Sequence, residues 1–421
     1  MDLDKLVIQG GYPFSGSVQV AGAKNAALPV LAASVLGGRR VNLSNVPDVA
    51  DVHSMLELLH FHGAEKAVLH NGRLSFSTEA LSGSETPYDI MRRMRASFLV
   101  LAPLVGRFGR ARISRPGGCA IGTRPVDFHL QALETLGAKV WLDGGIIEVQ
   151  APKGLRGNRI TFPSPSVGAT HTAMMAAAAA SGETEIVNCA REPEIADVAA
   201  FLTALGAHIE GAGTHRIRVQ GATSWRDVDH TILPDRIEAA SYLIAAAMTG
   251  GQLEIIGGRL EHLGAALRIL EAAGISVFPS DRGLMAERKG ILKSVDVTTE
   301  TFPGFPTDLQ AQFMALMCLA GGVSTIQERI FDARFMHVPE LQRMGADIRQ
   351  NGSTAIVRGV GQFHGAEVMA TDLRASMSLV LAGLVAKGET TIHRVYHLDR
   401  GFEDIDGKLR RCGARIERIS I

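Results

Sequence analysis

One short signal recurs six times along the sequence: a glycine at a predicted helix end, followed by a segment of alternating polar and apolar residues. The glycines are Gly63, Gly137, Gly206, Gly274, Gly345 and Gly413, at intervals of 68 to 74 residues. Glycine is the usual residue for the left-handed turn that ends a helix, and the alternation predicts a strand. Six copies over 421 residues predict a repeat fold.

A second kind of helix lies upstream of each glycine and is apolar on nearly all sides, which indicates that it is buried. The six segments are NAALPVLAASVL (25–36), ASFLVLAPLV (96–105), ATHTAMMAAAAAS (169–181), AASYLIAAAM (239–248), AQFMALMCLA (311–320) and ASMSLVLAGLVA (375–386). A short β-branched strand follows each one. This alternation predicts an α/β or α+β fold, arranged as two domains of three repeats that divide near residue 230.

The first residues of the six buried helices differ between the two halves of the chain. In the first half they are Lys24 with Asn25, Arg95, and Ser166 to Gly168; in the second half they are Asp235, Asp308 and Asp372. Helix N-termini attract anions, so the first half is predicted to bind anions and the second to supply acid or base. For any single aspartate, the alternative is an ordinary helix N-cap.

The stretch RPGGCAIGTRPVDFH (115–129) holds the most reactive residue types. Gly117 and Gly118 precede Cys119, and Arg115 and Arg124 flank it, so nearby guanidinium groups favour the thiolate. The connection that contains this stretch is about three residues longer in the second repeat than elsewhere. We interpret it as a binding loop for an anionic substrate; a surface loop with a small buried cysteine is the alternative.

Composition excludes several classes of function. Lys plus Arg and Asp plus Glu both number 43, so the chain has no overall basic charge for nucleic acid or a membrane surface. No signal peptide, membrane span, dinucleotide or nucleotide-phosphate fingerprint or metal-ligand spacing is apparent, so no cofactor or metal is expected. Cys189, Cys318 and Cys412 are predicted core residues, and four widely spaced cysteines indicate a reducing cytoplasm.

Specific motifs run from end to end of the chain. They include AGAKNAALP (21–29), MRASFLVLAPLV (94–105), PGGCAIGTRPVDFH (116–129), REPEIADVAAFLTALGA (191–207), LPDRIEA (233–239), FPTDLQAQF (305–313), RFMHVPELQRMGA (334–346), MATDLRAS (369–376) and YHLDRG (396–401). With these motifs the chain resembles the enolpyruvyl transferases. The resemblance implies two inside-out, barrel-like α/β domains, each of three pseudo-threefold repeats, with an active-site cleft between them. Residues 1–21 would join 231–421, and residues 22–230 would form the other domain.

The resemblance also implies an activity. The enolpyruvyl group of phosphoenolpyruvate would pass by addition and elimination to the 3′-hydroxyl of UDP-N-acetylglucosamine with release of phosphate, the first committed step of peptidoglycan synthesis. Feedback by a downstream UDP-muramic acid product would follow. The sibling reaction on shikimate 3-phosphate is the alternative, against which the cysteine loop and the SVG segment argue. A catalytically silent repeat scaffold is an alternative of a different class.

Site residues are carried over from the resemblance position by position. Cys119 would be the general acid and the site of a covalent adduct, Asp308 the base, and Asp372 an assistant in proton transfer. Phosphoenolpyruvate would be bound by Lys24, Asn25, Arg124 and Arg400, of which Lys24 and Arg400 also count as catalytic. UDP-N-acetylglucosamine would be bound by Arg95, Arg124, Pro125, Val126, Asp127, Phe128, Ser166, Val167, Gly168, Asp308, Ile330 and Arg334. Pro165 departs from the family, where a lysine is common.

Overall fold

A computed structural model describes residues 4–37, 39–92, 94–115, 126–332 and 334–420 of the chain. Within these ranges the chain divides into two compact units. The N-terminal unit comprises residues 22–115 and 126–233, and the C-terminal unit comprises residues 4–21 and 234–420. The first strands of the chain therefore fold with its C-terminal half.

The helices are α1 (Lys24–Ala33), α2 (Ala50–Phe61), α3 (Tyr88–Met91), α4 (Leu101–Phe108), α5 (Asp127–Thr135), α6 (Val167–Ala178), α7 (Pro193–Leu205), α8 (Arg236–Thr249), α9 (Ala265–Ala272), α10 (Gln310–Leu319), α11 (Val338–Arg343), α12 (Ser376–Val385) and α13 (Ile405–Arg411). Short 3-10 helices span Ser34–Leu36, Arg95–Val100, Leu260–His262, Thr307–Leu309 and Val395–Arg400.

The strands are β1 (Lys5–Gln9), β2 (Ser17–Gln19), β3 (Arg40–Ser44), β4 (Leu74–Ser77), β5 (Glu85–Thr86), β6 (Arg110–Ser114), β7 (Lys139–Asp143), β8 (Ile146–Gln150), β9 (Arg159–Thr161), β10 (Glu183–Val187), β11 (His208–Glu210), β12 (Arg216–Gln220), β13 (Val228–Thr231), β14 (Gln252–Ile256), β15 (Ile275–Pro279), β16 (Gly283–Arg288), β17 (Val297–Thr298), β18 (Val323–Gln327), β19 (Asp347–Asn351), β20 (Thr354–Arg358), β21 (Glu367–Met369), β22 (Glu389–His393) and β23 (Arg415–Ile419).

Three buried helices form the core of each unit. In the C-terminal unit α8, α10 and α12 contact one another, and nearly all of their residues are buried. In the N-terminal unit α1, α4 and α6 are buried in the same way. Their many alanines allow close approach. This confirms that the apolar segments are interior helices, and no helix in the described ranges is long and apolar enough to cross a membrane.

Open sheets cover these helices, three to a unit in the part of the chain that the structure describes. In the N-terminal unit the strand orders are β11-β12-β10-β9, β13-β3-β4 and β5-β6-β8-β7. In the C-terminal unit they are β21-β22-β1-β23, β15-β16-β14-β2 and β17-β18-β20-β19. Strands such as β12 and β6 bury alternate residues, as expected where one sheet face covers a core and the other faces solvent.

Three of the sheets are completed by strands from distant parts of the sequence. β1 pairs with both β22 and β23 in antiparallel register, and β2 pairs with β14 in parallel. In the N-terminal unit β13 pairs in parallel with β3, almost 190 residues earlier. These pairings explain why residues 4–21 belong to the C-terminal unit.

All six repeat glycines have positive φ, from 95° at Gly137 and Gly274 to 137° at Gly206, which confirms the predicted left-handed turns. Five of the six predicted strands after them form. The exception follows Gly63, where residues 64–69 form no strand. There the Glu65 carboxylate contacts Arg40 and accepts the backbone N–H of Ser77. That N–H is therefore not available for pairing with a neighbouring strand.

Two of these glycines give a matched test of backbone strain. A Cβ at Gly137 would contact nothing within 4 Å, whereas a Cβ at Gly206 would lie 2.3 Å from the Ser224 carbonyl oxygen. We expect Gly137→Ala to lower the free energy of unfolding by about 1–2 kcal/mol through its left-handed φ. The overlap at Gly206→Ala adds roughly 1–3 kcal/mol. Urea denaturation measures both; equal losses would contradict the close approach at Ser224.

Candidate active site

The N-terminal unit brings a lysine to the start of its first buried helix. Lys24 is the first residue of α1 and is only 5% exposed. Its Nζ lies 3.1 Å from Oδ2 of Asp51 on α2, which is also buried. A buried ammonium requires an acceptor, and Asp51 supplies one. Asn25 follows on the same helical turn.

The predicted sugar-nucleotide residues of this unit are connected through one histidine ring. His129 on α5 packs edge-on against Phe98, with ring centroids 5.1 Å apart, and its Nδ1 contacts Oγ1 of Thr172 at 2.7 Å. Phe98 lies in the 3-10 helix that Arg95 begins. On the other side, a Cβ at Gly168 would lie 2.9 Å from the His129 ring, so only glycine fits there.

The start of α6 has the features of an anion site. The Ser166 hydroxyl accepts the backbone N–H of Ala169 at 3.4 Å and caps the helix. Val167 and Gly168 form its first turn, with backbone N–H groups at the positive end of the helix dipole. Pro165 precedes the cap and has no charge, so the donors at this helix start are backbone groups.

The segment before α5 is described from Val126 onward. Val126 is buried at the N-cap of α5, Asp127 is exposed in its first turn, and Phe128 stacks on Phe162 with centroids 6.0 Å apart. Cys119, Arg124 and Pro125 lie outside the described residues. The roles predicted for them stay predictions.

Two of the three aspartates in the C-terminal unit accept backbone N–H groups from the residues that follow them. Asp235 Oδ1 accepts the N–H groups of Ile237 and Glu238 at 2.8 and 3.1 Å and caps α8. Asp372 Oδ1 accepts those of Arg374 and Ala375, both at 2.7 Å, in a turn ahead of α12, whose N-cap residue is Ala375. The capping alternative is therefore correct for Asp235.

Asp308 has a different environment from Asp235 and Asp372. It lies inside the 3-10 turn Thr307–Leu309, and the N-cap residue of α10, Leu309, has no capping side chain. Its Oδ1 lies 2.7 Å from Nη1 of Arg334, and its Oδ2 lies 3.9 Å from Nε of Arg374. The side chain is 24% exposed, against 5% for Asp235 and 10% for Asp372. Asp308 is thus the most accessible of the three carboxylates and faces two guanidinium groups.

Arg334 links Asp308 to Asp372. Its Nε lies 3.9 Å from Oδ2 of Asp372, so one buried guanidinium faces both carboxylates. Burial acts to lower the pKa of Arg334, but the charges of Asp308 and Asp372 outweigh it and the pKa lies above its usual value. The guanidinium therefore stays charged. His337 nearby is fully buried, and burial lowers its pKa to about 4, against the effect of Asp372.

Arg400 ends the 3-10 helix Val395–Arg400, and charged contacts fix this segment at two points. Arg374 Nη1 donates to the carbonyl of Gly401 at 2.9 Å. The guanidinium of Arg418 binds both carboxylate oxygens of Asp399, at 2.7 and 3.0 Å. The residues on either side of Arg400 are therefore held in place. Ile330 is positioned through its own N–H, which Glu328 accepts at 2.8 Å.

Comparisons with known proteins identify the family of this chain. The EPSP synthase family, described as 3-phosphoshikimate 1-carboxyvinyltransferase, matches residues 8–409. The chain belongs to this enolpyruvyl transferase family. A relative from Mesorhizobium japonicum named UDP-N-acetylglucosamine 1-carboxyvinyltransferase 2 is 59% identical, over 99% of this chain and all of the relative. One from Gluconacetobacter diazotrophicus named UDP-N-acetylglucosamine 1-carboxyvinyltransferase is 54% identical, over 99% of this chain and all of its own.

Solved structures of the family have the same fold. The enolpyruvyl transferase NikO from Streptomyces tendae superposes with a TM-score of 0.89 at 26% identity, covering all of both chains. EPSP synthase from Acinetobacter baumannii superposes with a TM-score of 0.76 at 19% identity, over 99% of this chain and all of its own. At that identity the second likeness shows the fold alone.

Sequence reasoning missed several buried charged residues that contact the predicted site residues or their neighbours. Asp51, Glu328 and Arg374 are each at most 4% exposed and pair with predicted site residues or their neighbours. Arg374 could have been identified from the sequence, because an arginine directly before an otherwise apolar buried helix requires a buried acid as its partner. No local pattern identified Glu328. No cluster of His, Cys, Asp and Glu able to hold a metal ion occurs among the residues that the structure describes.

Breaking the Arg374–Asp235 pair tests the charge network. Arg374 Nη2 lies 2.7 Å from Oδ2 of Asp235, and the arginine side chain is 1% exposed. We expect Arg374→Met to lower the free energy of unfolding by about 3–5 kcal/mol, because it leaves a buried carboxylate without its counter-charge. Adding Asp235→Asn to Arg374→Met removes the charge of that carboxylate, and the asparagine can still cap α8. Urea denaturation should show the double variant to be the more stable; additive losses would contradict the pairing.

His171 on α6 predicts how stability depends on pH. Burial lowers its pKa to about 4 from the usual 6.5, against a backbone hydrogen bond to Glu194. As pH falls below 6.5 the unfolded chain takes up this proton first, so stability is lost between pH 6.5 and 4. His171→Gln should remove up to about 3 kcal/mol of that loss. Parallel pH dependences of unfolding in the two proteins would contradict a buried neutral histidine.

Proposed function

We propose that this chain transfers the enolpyruvyl group of phosphoenolpyruvate to the 3′-hydroxyl of UDP-N-acetylglucosamine and releases phosphate, the first committed step of peptidoglycan synthesis. The observation that carries this proposal is the Asp308 carboxylate. Of the three repeated aspartates it alone lies within a 3-10 turn, is partly exposed and contacts Arg334 at 2.7 Å. The full-length relatives that are more than half identical support the same acceptor.

Asp308 is the proposed base. Removing the proton from a sugar hydroxyl at neutral pH requires a carboxylate that stays ionised, and a guanidinium within 4 Å favours that form. Arg334 supplies this charge at 2.7 Å. Asp372, on the other side of Arg334, assists by holding the guanidinium and by sharing charge as the proton moves.

Anion binding is assigned to three cationic residues. Lys24, Arg124 and Arg400 bind the phosphate and carboxylate of phosphoenolpyruvate, for which arginine forks and a lysine point charge are suited. Asn25 lies beside the reacting carbon. As the hydroxyl oxygen adds to C2, Cys119 protonates the methylene carbon, and the same cations stabilise the negative charge of the phosphate that later leaves. Loss of the proton from that carbon and of phosphate then restores the enol double bond.

The uridine diphosphate and sugar are assigned to helix starts and to the segment before α5. Ser166, Val167 and Gly168 supply backbone donors to the diphosphate, and Arg95 supplies charge. Arg124 and Pro125 to Phe128 line the nucleotide, while Ile330 and Arg334 contact the sugar and diphosphate. The thiol chemistry of Cys119 requires a reducing compartment, so we propose a cytoplasmic enzyme, inhibited by the downstream UDP-muramic acid product.

The sibling reaction on shikimate 3-phosphate is the second candidate, because the family is described by that activity. The two differ in acceptor, so phosphate release from phosphoenolpyruvate with each acceptor distinguishes them. We expect release with UDP-N-acetylglucosamine and none with shikimate 3-phosphate. The opposite pattern would overturn the proposal.

Labelling with fosfomycin tests the assignment of Cys119. Burial raises the pKa of Cys189 and Cys318 to about 12 and that of Cys412 to about 11, and all three are buried, so these thiols should not react. Peptide mass mapping should find one adduct, at Cys119. In Cys119→Asp a carboxyl replaces the thiol as proton donor, so we expect turnover without an adduct and with a shifted pH–rate profile. An unchanged profile would exclude a titrating thiol.

A further inference from the structure

A single buried carboxylate holds together three segments of the C-terminal unit. Glu328 is 2% exposed. Its Oε1 accepts hydrogen bonds from the Thr299 hydroxyl at 2.7 Å and from the N–H groups of Ile330 and Phe331 at 2.8 and 3.2 Å. Its Oε2 accepts from the Thr307 hydroxyl at 2.8 Å. All four contacts are donated to it, so Glu328 acts purely as an acceptor.

The Thr307 hydroxyl extends this network to the proposed base. Its Oγ1 accepts a hydrogen bond from Nη1 of Arg334 at 3.0 Å while it donates to Glu328. The same Nη1 lies 2.7 Å from Oδ1 of Asp308, the residue after Thr307. A guanidinium nitrogen has fixed donor directions, so the hydroxyl and the carboxylate together determine where it lies.

We propose that Glu328 is a positioning residue, which acts through Thr307 to orient the Arg334–Asp308 pair for removal of the acceptor's proton. The inference rests on the proposed function and deepens it. Glu328 fixes the direction of the Thr307 hydroxyl because its Oε2 takes the proton and leaves the oxygen lone pairs for Arg334. The Glu328 carboxylate also binds the backbone N–H groups of Ile330 and Phe331. The segment of Ile330, which is proposed to contact the sugar, and the proposed base Asp308 are therefore positioned by the same residue.

Two substitutions break this connection from opposite ends. Thr307→Val keeps the side-chain shape and removes the hydroxyl. Glu328→Gln keeps one acceptor oxygen, which its three donors on the Oε1 side can still share, and places an NH₂ group opposite Thr307. In both variants Arg334 loses a correctly oriented acceptor, while the loop at Ile330 keeps its anchor.

Steady-state kinetics with phosphoenolpyruvate and UDP-N-acetylglucosamine test the proposal. We expect kcat to fall about 10- to 100-fold in each single variant, the size typical of a misplaced reacting group, with KM for the sugar nucleotide changed less than about 2-fold. Glu328→Gln/Thr307→Val should have no lower kcat than the slower single variant, because both changes break one connection. Losses that multiply in the double variant would overturn the proposal.

Thr307→Ser is the matched control. Serine keeps the hydroxyl and loses the methyl, so kcat should stay near the wild-type value, whereas a packing role would make serine the slower variant because valine keeps the side-chain shape. Thermal unfolding of each variant confirms that it is folded. If the wild-type protein does not turn over this substrate pair, the proposed function fails and this inference with it. Wild-type turnover with equal kcat in Thr307→Val and Thr307→Ser would overturn the inference alone.

Discussion

Burial of three helices on all sides is the constraint on which each unit depends. Every residue of α10 from Gln310 to Cys318 is buried, and α8, α10 and α12 contact one another directly. Helices of this kind leave almost no lateral surface for polar groups, because an unpaired buried polar group is costly. Charged side chains are therefore placed most easily at the helix starts, where free N–H groups and the helix dipole favour anions. Lys24, Ser166 and Asp235 all occupy such positions.

Placing charge at a buried helix start requires a counter-charge, and in the C-terminal unit the counter-charges come from elsewhere in the sequence. Arg374, in the turn before α12, pairs with Asp235, and Lys408 on α13 pairs with Glu238 at 2.8 Å. Burial raises the pKa of Glu238, although Lys408 acts to lower it. Glu238 also accepts the N–H of Ala21 at 2.8 Å, which fastens the end of the N-terminal segment to this network. The electrostatics that support the site therefore also join the N-terminal strands to their unit.

The sequence was sufficient to predict elements that depend on local rules. A glycine at a helix end requires a positive φ wherever it occurs, and all six repeat glycines have one. The repeat pattern also predicts a strand after Gly63. There the Glu65 carboxylate accepts the N–H of Ser77 instead, and a repeat pattern cannot predict such a side-chain contact. The Arg374–Asp235 pair spans 139 residues, and Glu328 collects donors from residues 299, 307, 330 and 331. Such contacts follow from tertiary packing, so periodicity could not identify them.

The three aspartates show that an equivalent position in a repeat does not determine a chemical role. Asp235 and Asp372 each accept the N–H groups two and three residues later, so their Oδ1 atoms are engaged by the backbone that follows them. At Asp308 the chain forms a 3-10 turn before α10, and the carboxylate faces Arg334 and Arg374. A carboxylate oxygen that accepts two backbone N–H groups is fixed by the main chain, whereas the Asp308 carboxylate contacts guanidinium groups on two side chains and is the most exposed of the three. The backbone conformation at one residue thus separates a structural acid from the proposed base.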